Sequence, residues 1–326
     1  MANATPITAA RNQPAPRVSR MKLADVKTGR LDVPLKVLLY GVEGIGKSTF
    51  GAQAPKPIFL CAESGTAQLD VARFPEARTW EDVMDAVATL TTEEHDYQTL
   101  VVDTVDWAEP LCWEYVCRGG KCSSIEDFGF GKGYVKALDE WRLLLRALER
   151  LMAAKRTNVV LLAHSQIRTF KNPEGEDYDR YSLKMHEKAG GLIKDWCDDV
   201  LFAKHETFAL GKRDGKDTRK AVSDGARVVH TSRMAAWDAK NRNGLPDTMP
   251  LSWDEYFAAV KAHAPKSVED LRAQIETAIA ALPASVDDAT KDKVRASAEA
   301  SRDDAIKLSA MLNWCLSKTG ISNQGT

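Results

Sequence analysis

The residues with the clearest chemistry lie together near the start of the chain: Gly41, Val42, Glu43, Gly44, Ile45, Gly46, Lys47, Ser48 and Thr49. Their spacing, G-x-x-x-x-G-K-S, is that of a phosphate-binding loop, whose glycines let the backbone curl so that successive N–H groups face the phosphates. In such a loop Lys47 reaches the β- and γ-phosphates and the Ser48 hydroxyl ligates Mg²⁺. A bare glycine-rich turn with an exposed lysine is the alternative. It fits poorly here, because the apolar strand Leu35–Tyr40 precedes the loop and a short helix, stopped by Pro55 and Pro57, follows it. The stretch is therefore expected to hold ATP with Mg²⁺.

Hydrolysis needs more than a cradle. Thr99-Leu-Val-Val-Asp103 reads as a buried strand ending in the carboxylate that stands behind the Mg²⁺, with a purely structural carboxylate as the alternative. A group that orients and deprotonates water is also required. In many ATPases a Glu follows this Asp directly, whereas here Thr104 does, so the acid must come from elsewhere. Glu63, at the tip of the strand Ile58–Ala62, is the candidate, and a helix-capping or solvated acid is the alternative. The strand Asn158–His164 ends the same way, in His164-Ser165-Gln166. Open α/β sheets place their ligands at strand C-termini, and Glu63, Asp103, His164 and Gln166 all fall there.

The elements that must carry these residues are legible from hydrophobic period. Continuous apolar strands alternate with amphipathic helices marked by Trp80, Val83, Val87 and Leu90 and by Tyr134, Leu138, Trp141, Leu145 and Met152. That pattern argues for an α/β fold with a mostly parallel central sheet flanked by helices. Residues 31–263 would form this domain. Residues 1–30, with three Arg, three Pro and no acid before residue 21, would form a disordered tail. Residues 264–326 turn Ala-rich and charged and would form a small helical appendage, with Ser267-Val-Glu-Asp270 and Ser301-Arg-Asp-Asp304 opening helices and Gly320 closing the last.

The 326-residue chain is 44% hydrophobic, enough for a sizeable core, and its net charge of −1 means that any basic surface is local. No apolar run is long enough for a membrane span and no secretory core is present, so a cytoplasmic protein is expected. Cys112, Cys117 and Cys122 lack zinc-type spacing, and six cysteines without a signal suggest reduced thiols. Residues 167–188 read as a long polar loop holding Phe170, Tyr178 and Tyr181 among Arg168, Lys171, Arg180 and Lys184, with acids and bases in balance. Residues 204–242 carry ten Lys or Arg against five Asp or Glu, and include the turn Gly211-Lys212-Arg213-Asp214-Gly215. Aromatic rings among cations suit single strands, whose bases stack while phosphates meet Lys and Arg. A solvated loop is the plainer reading.

On these residues the chain resembles the RecA-like recombinase and helicase family, and within it the short phage-encoded members. Phe59-Leu-Cys-Ala-Glu63 looks like that family's strand ending in the catalytic glutamate. Leu161-Leu-Ala-His-Ser-Gln166-Ile-Arg168 looks like its strand ending in a γ-phosphate-sensing glutamine, which leads into a DNA-binding loop. Lys240-Asn241-Arg242-Asn243-Gly244 is similar to the Lys-Asn-Arg-Phe-Gly segment of RadA-type proteins, with Asn243 in place of Phe. The resemblance spans residues 33–262. It implies that Lys240 and Arg242 reach a neighbouring subunit's nucleotide, and that Arg168, Lys171, Arg180, Lys184, Lys212 and Arg213 meet single-stranded DNA. It also implies a head-to-tail homo-oligomer, ring or filament, working beside an annealing or single-strand-binding protein. The expected function is an ATP-dependent RecA-like ATPase in phage recombination or annealing. A nucleotide-dependent switch or packaging accessory that binds a protein partner is the competing reading. A small-molecule kinase is a third, and no lid-like arginine cluster supports it.

Overall fold

The computed structural model describes residues 22–26, 31–63, 65–206, 208–209, 221–222, 225–263, 268–301 and 304–319. Residues Met1–Asp32 form a unit of their own, in which Leu23–Asp25 make a single 3-10 turn. Residues 1–21 and 27–30 of the expected disordered tail, the turn at Gly211–Gly215, Ser267 and Gly320 lie outside the described residues.

From Val33 onward the chain alternates strand and helix: β1 (Lys36–Gly41), α1 (Lys47–Ala52), β2 (Pro57–Cys61), β3 (Ala72–Arg73), α2 (Trp80–Thr92), β4 (Thr99–Asp103), α3 (Val105–Gly120), α4 (Lys132–Lys155), β5 (Asn158–Phe170), β6 (Tyr178–Leu183), α5 (Glu187–Trp196) and β7 (Asp199–His205). Next come the small pair β8 (Phe208–Ala209) and β9 (Ala221–Val222), then β10 (Arg227–His230), β11 (Lys240–Asn241), β12 (Thr248–Pro250) and α6 (Trp253–His263). The main sheet runs β12-β10-β7-β1-β5-β4-β2-β3, parallel from β7 to β3, with β10 and β12 antiparallel at one edge. β11 adds antiparallel to β7, and β6 folds back on β5.

Parallel strands buried on both faces need continuous apolar sequence. In β1, Leu38 and Tyr40 enter one core with α2 and α4, where Trp80 meets Trp141 edge to face at 5.1 Å. Val37 and Leu39 enter the other, with Phe50 of α1 and Trp253 and Tyr256 of α6. Each strand is thereby clamped, and its C-terminal end is held at a fixed height. β1 also lies close against β7: a Cβ on Gly41 would come within 2.3 Å of the Ala203 carbonyl oxygen, so only glycine fits.

Three elements depart from the expected arrangement. The segment 167–188 is not a loop: β5 runs on to Phe170 and pairs with β6 from Ser165↔Leu183 to Phe170↔Tyr178, and α5 begins at Glu187. Residues 105–120, left unassigned in the sequence reading, form α3 despite Pro110, whose missing N–H ordinarily interrupts a helix. α8 (Asp288–Ala300) joins α7 (Val268–Ala280) and α9 (Ala305–Thr319). These three helices have their own core, with Leu271, Ile275, Ile279, Leu308 and Leu312 buried.

Candidate nucleotide-binding site

The phosphate loop leaves β1 at Gly41 and enters α1 at Lys47. Gly44 and Gly46 have φ of 71° and 108°, left-handed conformations that favour glycine and let the chain turn back on itself. Lys47 is buried, and its Nζ donates to the loop carbonyls of Val42 at 3.1 Å and Gly41 at 3.4 Å. Burial lowers its pKa from the usual lysine value, while the surrounding acids Asp106, Asp103, Glu63 and Glu43 pull the other way. The ammonium is thus held by the loop carbonyls in a field of nearby negative charge.

Asp103 ends β4, level with Leu162 of β5, while Gly41 ending β1 lies level with His164. Ser48, in the first turn of α1, stands close enough to the Asp103 carboxylate for its hydroxyl to lower that group's pKa. Burial raises the pKa of Asp103, the Ser48 hydrogen bond and the Lys47 charge oppose it, and its Oδ2 is buried with no hydrogen-bond partner among the described residues. A buried carboxylate beside a serine hydroxyl, with an oxygen left unpartnered, fits an Mg²⁺ ligated by Ser48. Among the described residues no group of three or more His, Cys, Asp or Glu is placed to hold a metal by itself.

Glu63 lies just beyond β2 and is partly buried. Burial raises its pKa, the nearby His164 lowers it, and Asp103 and Asp106 raise it again, so the net shift is upward. The Thr104 hydroxyl donates to its Oε1 at 3.4 Å. The structure thus brings Lys47, Ser48, Glu63 and Asp103 to one edge of the sheet.

Two further acids, in the first turns of α3, escaped the sequence reading. Asp106 accepts from the His164 backbone N–H at 2.9 Å and holds the ring Nδ1 at 2.9 Å. Burial pushes the Asp106 pKa up, yet these bonds and the His164 charge hold it below the ordinary value. An ionised carboxylate only accepts, so Nδ1 carries the proton. One turn later the buried Glu109 accepts from the His186 N–H at 2.9 Å, and burial raises its pKa to about 7. The signal available for both was the run of acids directly after Asp103.

The other expected site residues lie elsewhere or are engaged. Gln166 is in the β5 extension, where its Nε2 donates to the Leu183 carbonyl at 2.7 Å. In the hairpin, Arg168 donates to the Met185 carbonyl, and Lys171 pairs with Asp177. Lys184 stands 3.8 Å from Glu43 of the phosphate loop. Arg180 corrects its expected place on a DNA surface: it is 8% exposed and bound to Asp238 at 2.7 Å, which also holds Lys194 at 2.7 Å. A cation turned inward onto a carboxylate is not available to a phosphate. Lys212 and Arg213 lie outside the described residues.

Lys240 and Arg242 sit at the far edge. Lys240 pairs with Val200 and Asn241 with Asp199, which in turn lies opposite Val37, at the other end of β1 from Gly41. At ~3.3 Å per residue that separation is ~13 Å along the strand. Lys240 Nζ donates to the carbonyls of Lys194, Asp195 and Cys197 at 3.1, 2.9 and 2.6 Å, closing the C-terminus of α5. Arg242 pairs with Asp198 at 3.1 Å. Asn243, where the resembled pattern has Phe, donates to the buried Asp199 at 2.7 Å, which also accepts from the Tyr256 hydroxyl.

The model of a family described as an AAA domain matches residues 33–243. The SPbeta prophage-derived uncharacterized protein YorG of Bacillus subtilis (strain 168) is 28% identical over 206 residues, which are 61% of this chain and 58% of that protein. The chain thus spans little more than half the length of that relative. Among solved structures, the crystal structure of the RadB recombinase aligns at 13% identity and a TM-score of 0.35, covering 61% of this chain and 80% of that one.

Proposed function

The chain belongs to the AAA domain family, and from that premise we propose that it hydrolyses ATP with Mg²⁺ as a RecA-like subunit that assembles head to tail on single-stranded DNA in phage recombination or annealing. One observation carries the reading. The phosphate loop, Asp103 and Glu63 occupy the C-terminal edge of the strands, while Lys240 and Arg242 occupy the opposite edge. Cations placed there serve a nucleotide only across a subunit boundary, which is the arrangement of a head-to-tail assembly. The prophage named in the relative's description supports the phage setting.

In this mechanism Lys47 lies along the β- and γ-phosphates and offsets their charge as the bond to the leaving group lengthens. Ser48 would ligate Mg²⁺ with Asp103 behind it, and the ion supplies charge neutralisation at the phosphate oxygens. Glu63, made more basic by its partly buried position, orients the attacking water and receives its proton. Thr104 holds the carboxylate by Oε1. Arg242 of the next subunit completes the charge complement.

A second reading, a nucleotide-dependent switch that binds a protein partner, is favoured by the internal pairing of the hairpin cations Lys171, Arg180 and Lys184. Both readings need the loop. Lys47→Ala is expected to abolish ATP turnover, and turnover at the wild-type rate would remove the site assignment.

A further inference from the structure

An arginine from the antiparallel edge of the sheet stands at the phosphate loop without being part of its sequence pattern. β10 begins at Arg227, opposite His205 at the C-terminal end of β7, and the Arg227 carbonyl accepts the Leu251 N–H at 3.0 Å. Its backbone is thus fixed in the sheet beside β7. The side chain reaches across to α1: a Cβ placed on Gly46 would lie 3.0 Å from Arg227 Nη1 and 3.6 Å from Leu251 Cδ2. The guanidinium therefore rests on the glycine that opens α1. Among the described residues no carboxylate forms an ion pair with it, whereas Arg180, Arg118 and Arg242 all have acid partners. An arginine held at a phosphate loop with no acid of its own has donors to spare for an anion.

We propose that Arg227 is a second cation of the nucleotide site, binding the α- and β-phosphates of a nucleoside di- or triphosphate. The loop backbone cradles the α- and β-phosphates while the loop lysine reaches β and γ. Gly46 belongs to the backbone cradle, so a guanidinium beside it meets the α/β side rather than the γ-phosphate. Its planar fork presents two parallel N–H donors to phosphate oxygens in a fixed geometry, whereas a lysine ammonium acts as a compact point charge. The site then holds its two cations on opposite sides of the polyphosphate, Lys47 from inside the loop and Arg227 from over it. The assignment rests on the loop being a nucleotide site. It goes further in predicting that Arg227 serves binding and leaves the chemical step alone.

Titration of the full chain with a fluorescent ADP analogue and with ATP, in parallel with steady-state turnover, tests this. Arg227→Ala is expected to weaken ADP and ATP by about tenfold or more and to similar extents, raising KM with little change in kcat. Arg227→Gln keeps the aliphatic stem against Leu251 and removes only the charge, so it is expected to show the same loss with an unchanged thermal melt. Arg227→Gln folded like wild type and binding ADP within about twofold of it overturns the proposal. So does a loss confined to kcat. Wild-type protein that binds neither nucleotide overturns the nucleotide-site reading itself, which separates the two failures.

Discussion

The Ser48 hydroxyl stands beside the carboxylate of Asp103, whose Oδ2 is buried with no hydrogen-bond partner among the described residues. A residue from the first turn of α1 thereby faces the last residue of β4, and the ligand expected on Mg²⁺ lies beside a carboxylate that can orient it. Asp103→Asn keeps the shape and removes the charge. It is expected to weaken Mg²⁺ affinity by about 10- to 100-fold, read as a rise of the Mg²⁺ titration midpoint for turnover. An unchanged midpoint would place Asp103 in a purely structural role.

Glu63 sits with its pKa raised by burial beside His164 and the acids Asp103 and Asp106. As a base it works only when ionised. The acid limb of the turnover profile is therefore expected at a higher pH than an ordinary glutamate gives, with activity falling as pH drops through it. Glu63→Gln should retain ATP binding and lose turnover by about 100-fold or more. A variant that turns over normally would move the general base elsewhere.

Lys240 and Arg242 make different predictions although they are two residues apart. Lys240 closes α5 through three carbonyls, so Lys240→Ala is expected to cost about 1–3 kcal/mol in denaturant unfolding and to confuse any activity measurement. Arg242 pairs with Asp198 through a largely exposed side chain and can be altered more cleanly. Mixing Glu63→Gln subunits with Arg242→Ala subunits should restore part of the turnover, because some boundaries then join an intact base to an intact arginine. Absence of rescue at every mixing ratio would count against a shared site.

Glu109 is buried, with a pKa near 7 against an ordinary value of 4.5. The folded state then holds a proton that the unfolded state has released between these values, so stability falls as pH rises from about 4.5 to about 7. Glu109→Gln removes that dependence and keeps an oxygen for the His186 N–H. It is expected to be the more stable protein at pH 8, by on the order of 1–3 kcal/mol, with the gain vanishing near pH 4.5. Parallel melts of the two proteins across this range check the sign.

The strands and the loop were readable because they depend on local pattern: β1 is apolar at every buried position, and a phosphate loop has fixed spacing. Glu63 stood out as the candidate base because Thr104, and not a glutamate, follows Asp103. The β5–β6 hairpin was missed because Arg168, Lys171 and the acids around them look like a solvated loop, and only the pairing shows that Arg180 points inward at Asp238. α8 was missed for a different reason: its sequence is mostly alanine and charge, so it has almost no apolar period. Arg227 left no local trace at all, since its place on Gly46 arises from sheet order, which sets β10 beside β7 and β7 beside β1. Contacts made through topology are invisible to spacing.

The central claim, an ATPase that works on single-stranded DNA, is tested most directly by steady-state ATP turnover with and without single-stranded DNA across a salt series. The account predicts stimulation by the DNA that weakens as salt rises, because phosphate contacts release counterions. Turnover that is indifferent to DNA at every salt concentration would contradict it and leave the protein-binding switch.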